Sequence, residues 1–432
     1  MPLRLDAIAP GFAEAFEAFV SARRGAHADV AGVVAAIVAE TRARGDAALI
    51  DYTERFDRVR LTPGTLRIAA DEIAAAKAQI TPETLAALDF AARRIEAFHV
   101  RTELPALSYV DEDGIGLGAR WTPIDAVGIY VPGGLASYPS SVLMNAIPAR
   151  VAGVGRIAMV VPAPDGVLNP LVLAAAERAG VTEIWRIGGA QAVAALAYGT
   201  ASIRPVDKIT GPGNAYVAEA KRQVFGAVGI DMIAGPSEIL VVADAGNDPE
   251  WIAVDLLSQA EHDTHAQSVL ITDDAGFADQ VAAAVDRVLA RLPKAEIAGA
   301  SWRDHGGIIV VGSLDDAVPL VDRLAPEHLE LAVDDPDALA ARIRHAGAIF
   351  LGRHAPEAVG DYVAGPNHVL PTARSARFAS GLSVFDFVKR TTLVRCDARG
   401  LARIGPAAVR LAEAEGLDAH ALSIAQRLGM AG

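Results

Sequence analysis

From about residue 124 onward, short β-rich runs alternate with Ala-rich helical ones, and this alternation restricts the fold more than any other feature of the chain. The strand candidates are AVGIYVP at 126, RIAMVVP at 156, EIWRIGG at 183, DKITGPG at 207 and SEILVVAD at 237. QSVLITD at 267, GGIIVV at 306, HLELAV at 328 and AGAIFLG at 346 continue the series. Helical stretches separate most of them; Asn169-Pro170, a cap followed by a first-turn proline, opens one that ends near Gly180. A strand, a helix and a second strand in succession imply parallel pairing, with helices covering the sheet. The units suffice for two sheets, so the chain reads as α/β with two doubly wound, Rossmann-like lobes. The expected division is a helical segment with a hairpin around Asp113-Gly114 (1–123), a first lobe (124–235), a second lobe (236–401) and a small helical tail broken at Gly416 (402–432).

Composition narrows the function classes. Lys+Arg 39 against Asp+Glu 53 leaves a net charge of −14, with no local run of Lys or Arg. Such a surface repels phosphate backbones and anionic lipid, so neither nucleic acid nor membrane is expected as a partner. Hydrophobic residues at 52% and charged residues at 21% describe a globular chain, and aromatics at 5% imply an interior of Ala, Val and Leu. The one cysteine, Cys396, excludes an internal disulfide and any Cys-rich zinc or iron–sulfur site. A bound metal would therefore take nitrogen and oxygen ligands. The start, MPLRLDAIAPGFAEAF, lacks a cationic segment followed by an apolar run, and Pro, Asp, Arg or Gly interrupts every apolar stretch. The expectation is a soluble, cytoplasmic protein.

No lysine follows a glycine, so a Walker loop is absent. Gly153-Val-Gly155-Arg-Ile-Ala158 imitates a dinucleotide fingerprint but precedes its strand, whereas a phosphate-binding turn must follow one; it reads as a helix C-cap. Three glycine-rich turns do follow strands: Val131-Pro132-Gly133-Gly134, Gly188-Gly189-Ala190-Gln191 and Gly211-Pro212-Gly213-Asn214. Open α/β sheets present ligands at the carboxyl ends of their strands, and three such turns in successive units point to a shared crevice. Tyr130, Gln191 and Asn214 are placed to orient a nucleotide-type ligand there, although such turns also serve as ordinary loops.

The second half carries the denser polar groups. Gln259 and His262, three apart near the end of a helix that starts near Pro249, share a face; they can chelate one ion or simply decorate a solvated helix end. Glu261 and His265 lie beside them. Glu327-His328 stands between the turn Ala325-Pro326 and a strand, where an adjacent acid and imidazole suit acid–base work and equally suit an exposed strand start. Asp361 and His368 bracket the loop Gly365-Pro366-Asn367, and Glu415 and His420 straddle Gly416. His27, His99, His305, His345 and His354 read as surface or capping residues.

At these residues the chain resembles the histidinol dehydrogenase family over nearly its whole length. GIYVPGG at 128, GGAQAVAALAYGT at 188, DKITGPGNAYVAEAK at 207, DMIAGPSEILVVAD at 231, LLSQAEHD at 256, APEHLE at 325, VGDYVAGPNHVLPT at 359 and EGLDAHA at 415 carry the likeness. Their order and spacing together are far more specific than any one motif. The resemblance implies oxidation of L-histidinol to L-histidine by two NAD+ through L-histidinaldehyde, the last steps of histidine biosynthesis. It implies one Zn2+ per subunit and an intertwined homodimer with shared sites.

Motif by motif, the resemblance implies Gln259, His262, Asp361 and His420 as zinc ligands, with Glu327 and His328 as general bases. Ser237, His368 and Glu415 become substrate contacts, alongside His328 and the four ligands. Tyr130, Gln191 and Asn214 become NAD contacts, and His265 lies outside the pattern. The tail is expected to cross to the partner subunit. A neutral imidazole suits removal of the alcohol proton near pH 7, and a neighbouring carboxylate suits activation of water for attack on the aldehyde. A zinc ion that binds the substrate's imidazole and amino nitrogens acts chiefly as a template. Two other readings compete. A relative acting on another small polar alcohol, such as a sulfonated diol, need not keep Glu415 and His368. A silent zinc- or nucleotide-binding protein need not keep both Glu327 and His328.

Overall fold

The structure, a computed structural model, describes residues 2–22, 30–133, 138–233 and 235–430. His27, Gly134 of the first glycine turn and Ala234 of the motif at 231 lie outside the described residues. The strands are β1 (Leu3–Asp6), β2 (Leu107–Val110), β3 (Gly116–Pro123), β4 (Ala126–Tyr130), β5 (Arg156–Val160), β6 (Glu183–Trp185), β7 (Lys208–Thr210), β8 (Gly229–Ile230), β9 (Glu238–Ala243), β10 (Gln267–Thr272), β11 (Gly307–Val310), β12 (His328–Ala332), β13 (Ala348–Leu351) and β14 (Val388–Arg395). Each strand candidate of the alternating region is a strand.

Two sheets are parallel throughout, with orders β6-β5-β4-β7-β8 and β1-β11-β10-β9-β12-β13. In each, the chain steps outward from a first strand (β4 or β9), then returns to its other side (β7 or β12). Both lobes therefore have the doubly wound order, with switch points between β4 and β7 and between β9 and β12. Burial on both faces explains the unbroken apolar runs: β9, EILVVA, and β10, QSVLIT, are buried along their whole length.

The first hundred residues, expected to be helical, also contribute a strand. Leu3–Asp6 forms β1 and pairs in parallel with β11, Leu3 opposite Gly307. Four largely exposed residues are too few for a period-two signal to stand out. The helix Pro82–His99 falls in this segment: the Thr81 side chain accepts the Thr84 N–H, and Pro82 occupies the first turn. Its last residue corrects another expectation. His99 is 1% exposed, a core residue rather than a surface one.

By compactness the chain divides into Met1–Arg101 with Asp125–Asp386, and Thr102–Ile124 with Phe387–Gly432. Both parallel sheets belong to the first unit. The second holds an antiparallel sheet of order β14-β3-β2 and two helices, Ala398–Ala414 and Asp418–Arg427. The helices pack through Val409, Ala412, Ala421 and Ile424. The β2–β3 hairpin turns at Asp113-Gly114, where Asp111 Oδ1 accepts the N–H groups of Asp113 and Ile115. Strand β14 has no counterpart among the sequence candidates, because it is exposed along nearly its whole length and shows no apolar face.

Candidate active site

The first lobe opens a cavity of about 970 Å³ at its switch point. Tyr130, Pro132, Gly133, Gly188, Gly189, Gln191, Gly213 and Asn214 line it, together with Tyr52 and Asp57 of the helix Asp46–Asp57. Tyr130 ends β4, and its hydroxyl oxygen accepts the Gly189 N–H at 3.0 Å, tying the first turn to the second. Burial pushes that phenol up to about 12, so it stays neutral. Gln191 is buried, and its Oε1 has no hydrogen-bond partner among the described residues. An orphaned acceptor in a ligand-sized cavity fits a group that arrives from solution. Asn214 caps its own helix, Ala215–Val224, by accepting the N–H groups of Tyr216 and Val217.

The third turn approaches β4 so closely that only glycine fits. Gly211 has φ +109°, and a Cβ there would meet Tyr130 O at 2.1 Å. A buried Lys221–Asp231 ion pair holds the turn. Lys221 Nζ donates to Gly211 O at 3.0 Å, and Asp231 Oδ2 accepts the Gly211 N–H at 2.8 Å.

The second lobe differs. The cavity at the carboxyl ends of its strands, about 710 Å³, is lined by Asp244, Asp273, Asp274, Asp315, Asp334 and Asp335, with Arg342. Its polar cluster lies instead at the amino ends. There β9 and β12 are neighbours, His328 opposite Ile239, which sets Glu327 beside Glu238. Glu327 Oε2 accepts the Glu238 N–H at 2.9 Å, and His328 Nδ1 lies 3.0 Å from Glu238 O. A carbonyl only accepts, so Nδ1 carries the proton and Nε2 keeps its lone pair. Burial lowers the His328 pKa to about 4, against the opposing pull of the Asp361 charge, so the ring is neutral.

The short helix Glu357–Tyr362 brings Glu357 and Asp361 to the same point. Ligand atoms of His328, Glu357 and Asp361 all lie within 4.8 Å of one another. Burial, reinforced by the Asp361 charge, raises the Glu357 pKa to about 9. Burial acts to raise Asp361 as well, but a hydrogen bond from His368 and the neighbouring imidazoles hold it below the ordinary aspartate value. His368 Nδ1 and Asp361 Oδ1 are 3.3 Å apart.

Helix Pro249–Ala260, opened by Asp248 accepting the Glu250 N–H, runs back toward the same edge. Its end places Gln259 Nε2 3.3 Å from His262 Nδ1. Gln259 is buried with Oε1 unpartnered among the described residues, while His262 is exposed. His262 is among the groups that act on both His328 and Asp361, which sets it near the same cluster. The donors are nitrogen and oxygen without sulfur, which suits zinc in an N/O site.

Thus Gln259, His262, Glu327, His328, Asp361 and His368 converge, and Ser237 directly precedes Glu238 in the same corner. Glu415 and His420 belong to the second unit, exposed, at the end of one helix and in the next. Sequence reading missed Glu357. The usable signal was its spacing of four from Asp361 behind Pro356, one helical turn. It also missed Glu330, whose Oε1 accepts the Glu357 N–H from behind. Burial, then the nearby Asp255, raises Glu330 well above the usual range, and the two carboxyls hydrogen-bond each other.

A doubly wound α/β fold with a nucleotide-sized crevice in one lobe and a buried imidazole–carboxylate cluster in the other has the layout of an enzyme, and the relatives it matches are oxidoreductases. The histidinol dehydrogenase family profile matches residues 21–428. The chain is 67% identical to histidinol dehydrogenase of Rhodospirillum rubrum over 429 residues, 99% of each protein. It is 64% identical to that of Gluconobacter oxydans over 425 residues, 98% of this chain and 99% of the relative. The crystal structure of histidinol dehydrogenase from Elizabethkingia anophelis superposes with a TM-score of 0.94 at 36% identity, covering 99% of this chain and 98% of the other. The chain belongs to the histidinol dehydrogenase family. No helix among the described residues is long and apolar enough to cross a membrane.

Proposed function

We propose that the chain oxidises L-histidinol to L-histidine through L-histidinaldehyde, consuming two NAD+ and one water and releasing two NADH and three protons. Family membership supports the reaction. The observation that carries the assignment of the base is His328: neutral, with Nδ1 committed to Glu238 O and Nε2 directed at the carboxyls of Glu357 and Asp361. His328 Nε2 takes the hydroxyl proton of the alcohol as the first oxidation proceeds. Glu327, oriented by the Glu238 N–H, takes a proton from the water that attacks the aldehyde. His328 again receives the hydroxyl proton of the resulting hydrate.

NAD, when bound, accepts the hydride of each oxidation. Its site is the crevice of the first lobe, with Tyr130, Gln191 and Asn214, since the six aspartates of the other crevice would repel a diphosphate. Gln259, His262 and Asp361 would hold Zn2+, which supplies orientation of the substrate's nitrogens. Ser237 and His368 contact the substrate. We place His420 as the fourth ligand and Glu415 as a substrate contact, contributed by the partner in a homodimer. The second unit supports a partnered surface, because Tyr109, Val110, Val394, Leu411, Leu417 and Leu422 are all exposed on it.

The test is NADH formation from L-histidinol together with quantified L-histidine. Two NADH per histidine are expected. No reduction of NAD, or histidinaldehyde as the final product, overturns the proposal.

A further inference from the structure

In doubly wound dinucleotide folds an acid at the end of the second strand receives the coenzyme's ribose hydroxyls. The corresponding strand here is β5, beside β4 on the side away from the switch point. It runs into Val161-Pro162-Ala163-Pro164 and supplies no acid. The next acid, Asp165, is turned outward in a two-pronged pair with Arg58, at 2.7 and 2.5 Å. A different element delivers a carboxylate to this strand end. Asp57, last residue of the helix Asp46–Asp57, accepts the Ala163 N–H through Oδ2 at 3.2 Å. It is 8% exposed, and it is the one acid among the described residues that line the crevice with Tyr130 and Gln191.

We propose that Asp57 receives the adenosine ribose hydroxyls of the coenzyme and is the residue that selects NAD over NADP. The inference rests on the reading that the first-lobe crevice takes NAD. A carboxylate with one oxygen held by Ala163 N–H keeps acceptor capacity for a vicinal diol. A 2′-phosphate at the same place would set a second anion against it in a largely desolvated wall, where like charges repel most strongly. Burial raises the Asp57 pKa, which marks a carboxyl short of solvent. Arg55, two residues before Asp57, lies over the Phe56 ring at 5.3 Å and is the one guanidinium among the described residues that line the crevice, to which a phosphate could turn once Asp57 is neutralised.

The test needs no turnover. Wild type, Asp57→Asn and Asp57→Ser are titrated calorimetrically with ADP-ribose and with 2′-phospho-ADP-ribose, and their melting temperatures are recorded. Asparagine keeps an oxygen for the Ala163 N–H, so it separates charge from fold. Wild type should prefer ADP-ribose, and Asp57→Asn should shrink that preference by about tenfold to a hundredfold, the worth of a lost charged hydrogen bond. Wild type that binds neither ligand overturns the coenzyme crevice, and this inference with it. Wild type that binds, beside a stably folded Asp57→Asn with an unchanged ratio or an equal loss for both ligands, overturns the role of Asp57 alone.

Discussion

His328 Nε2 and Glu357 Oε1 face each other across 3.5 Å, both buried, and neither atom holds a hydrogen bond within the described residues. Buried polar atoms are rarely left so, and two at one point mark the place where a bound polar group belongs. The imidazole is neutral and its other nitrogen is committed, so the free lone pair is chemically available. His328→Asn keeps a side-chain N–H for Glu238 O but removes the base. Its kcat with histidinol should fall by about a hundredfold to ten-thousandfold, the usual worth of general-base catalysis. Histidinol affinity should fall far less than kcat, because the other substrate contacts remain. Steady-state rates with a binding titration check this, and a near wild-type kcat rejects His328 as the base.

Glu327 is assigned to the second half of the reaction, where water must be activated. Glu327→Gln should still reduce one equivalent of NAD in a single turnover with histidinol, and should turn over poorly from histidinaldehyde. Rapid-quench measurement of both half-reactions decides the matter. Equal loss in both would show that Glu327 serves the fold or both oxidations alike.

His99 gives a prediction about stability. It is 1% exposed, both ring nitrogens lack partners among the described residues, and burial lowers its pKa from 6.5 to about 4. The unfolded chain therefore binds a proton at higher pH than the folded one. Stability from this group is complete above about 6.5 and is lost as pH falls toward 4, on the order of 3 kcal/mol in all. His99→Phe, which packs a ring beside Phe98 without a titrating nitrogen, should flatten that part of the profile. Urea midpoints between pH 7.5 and 4.5 test it; identical slopes in variant and wild type count against a buried neutral His99.

Lys221 links fold to coenzyme. Its ammonium and the Asp231 carboxylate are both buried, and together they clamp Gly211 in the third glycine turn, whose Gly213 and Asn214 line the crevice. Lys221→Met leaves Asp231 buried without its partner, which costs roughly 3–5 kcal/mol. ADP-ribose affinity should fall as well, because the third glycine turn is released. A loss below about 1 kcal/mol would mean that water replaces the ammonium at little cost.

What the sequence discloses depends on whether a signal is local. Strands β9 and β10 were legible because burial on both faces leaves unbroken apolar runs. Strands β1 and β14 were not, one being four residues long and the other nearly all exposed. Gln259 and His262 were legible as a pair from their spacing of three, although the helix ends at Ala260 and His262 stands in the turn that follows it. Glu357 was hidden because its partner His328 is 29 positions earlier on a strand, and nothing nearby marks the contact. His99 and Asp57 were hidden for the same reason: the burial of one and the cavity position of the other are properties of the folded chain, set by elements far from them in sequence.

The last prediction concerns the shared site. Glu415 and His420 lie in a separate compact unit from Gln259, His262 and Asp361, and the proposal has them complete the partner's site. In an isologous dimer each site then takes His328 from one subunit and His420 from the other. Consider His328→Asn and His420→Asn, each inactive alone. In a mixed dimer one site receives both lesions and the other receives neither. Random reassembly of equal amounts makes about half of the dimers mixed, each with one intact site, so about a quarter of wild-type activity should return. The two proteins are unfolded, mixed, refolded and assayed against each variant treated alone, with a mass tag to confirm mixed dimers. If the tail serves its own subunit, every site keeps one lesion and no activity returns. That result would reject the shared site and leave the assignments of His328 and Glu327 standing.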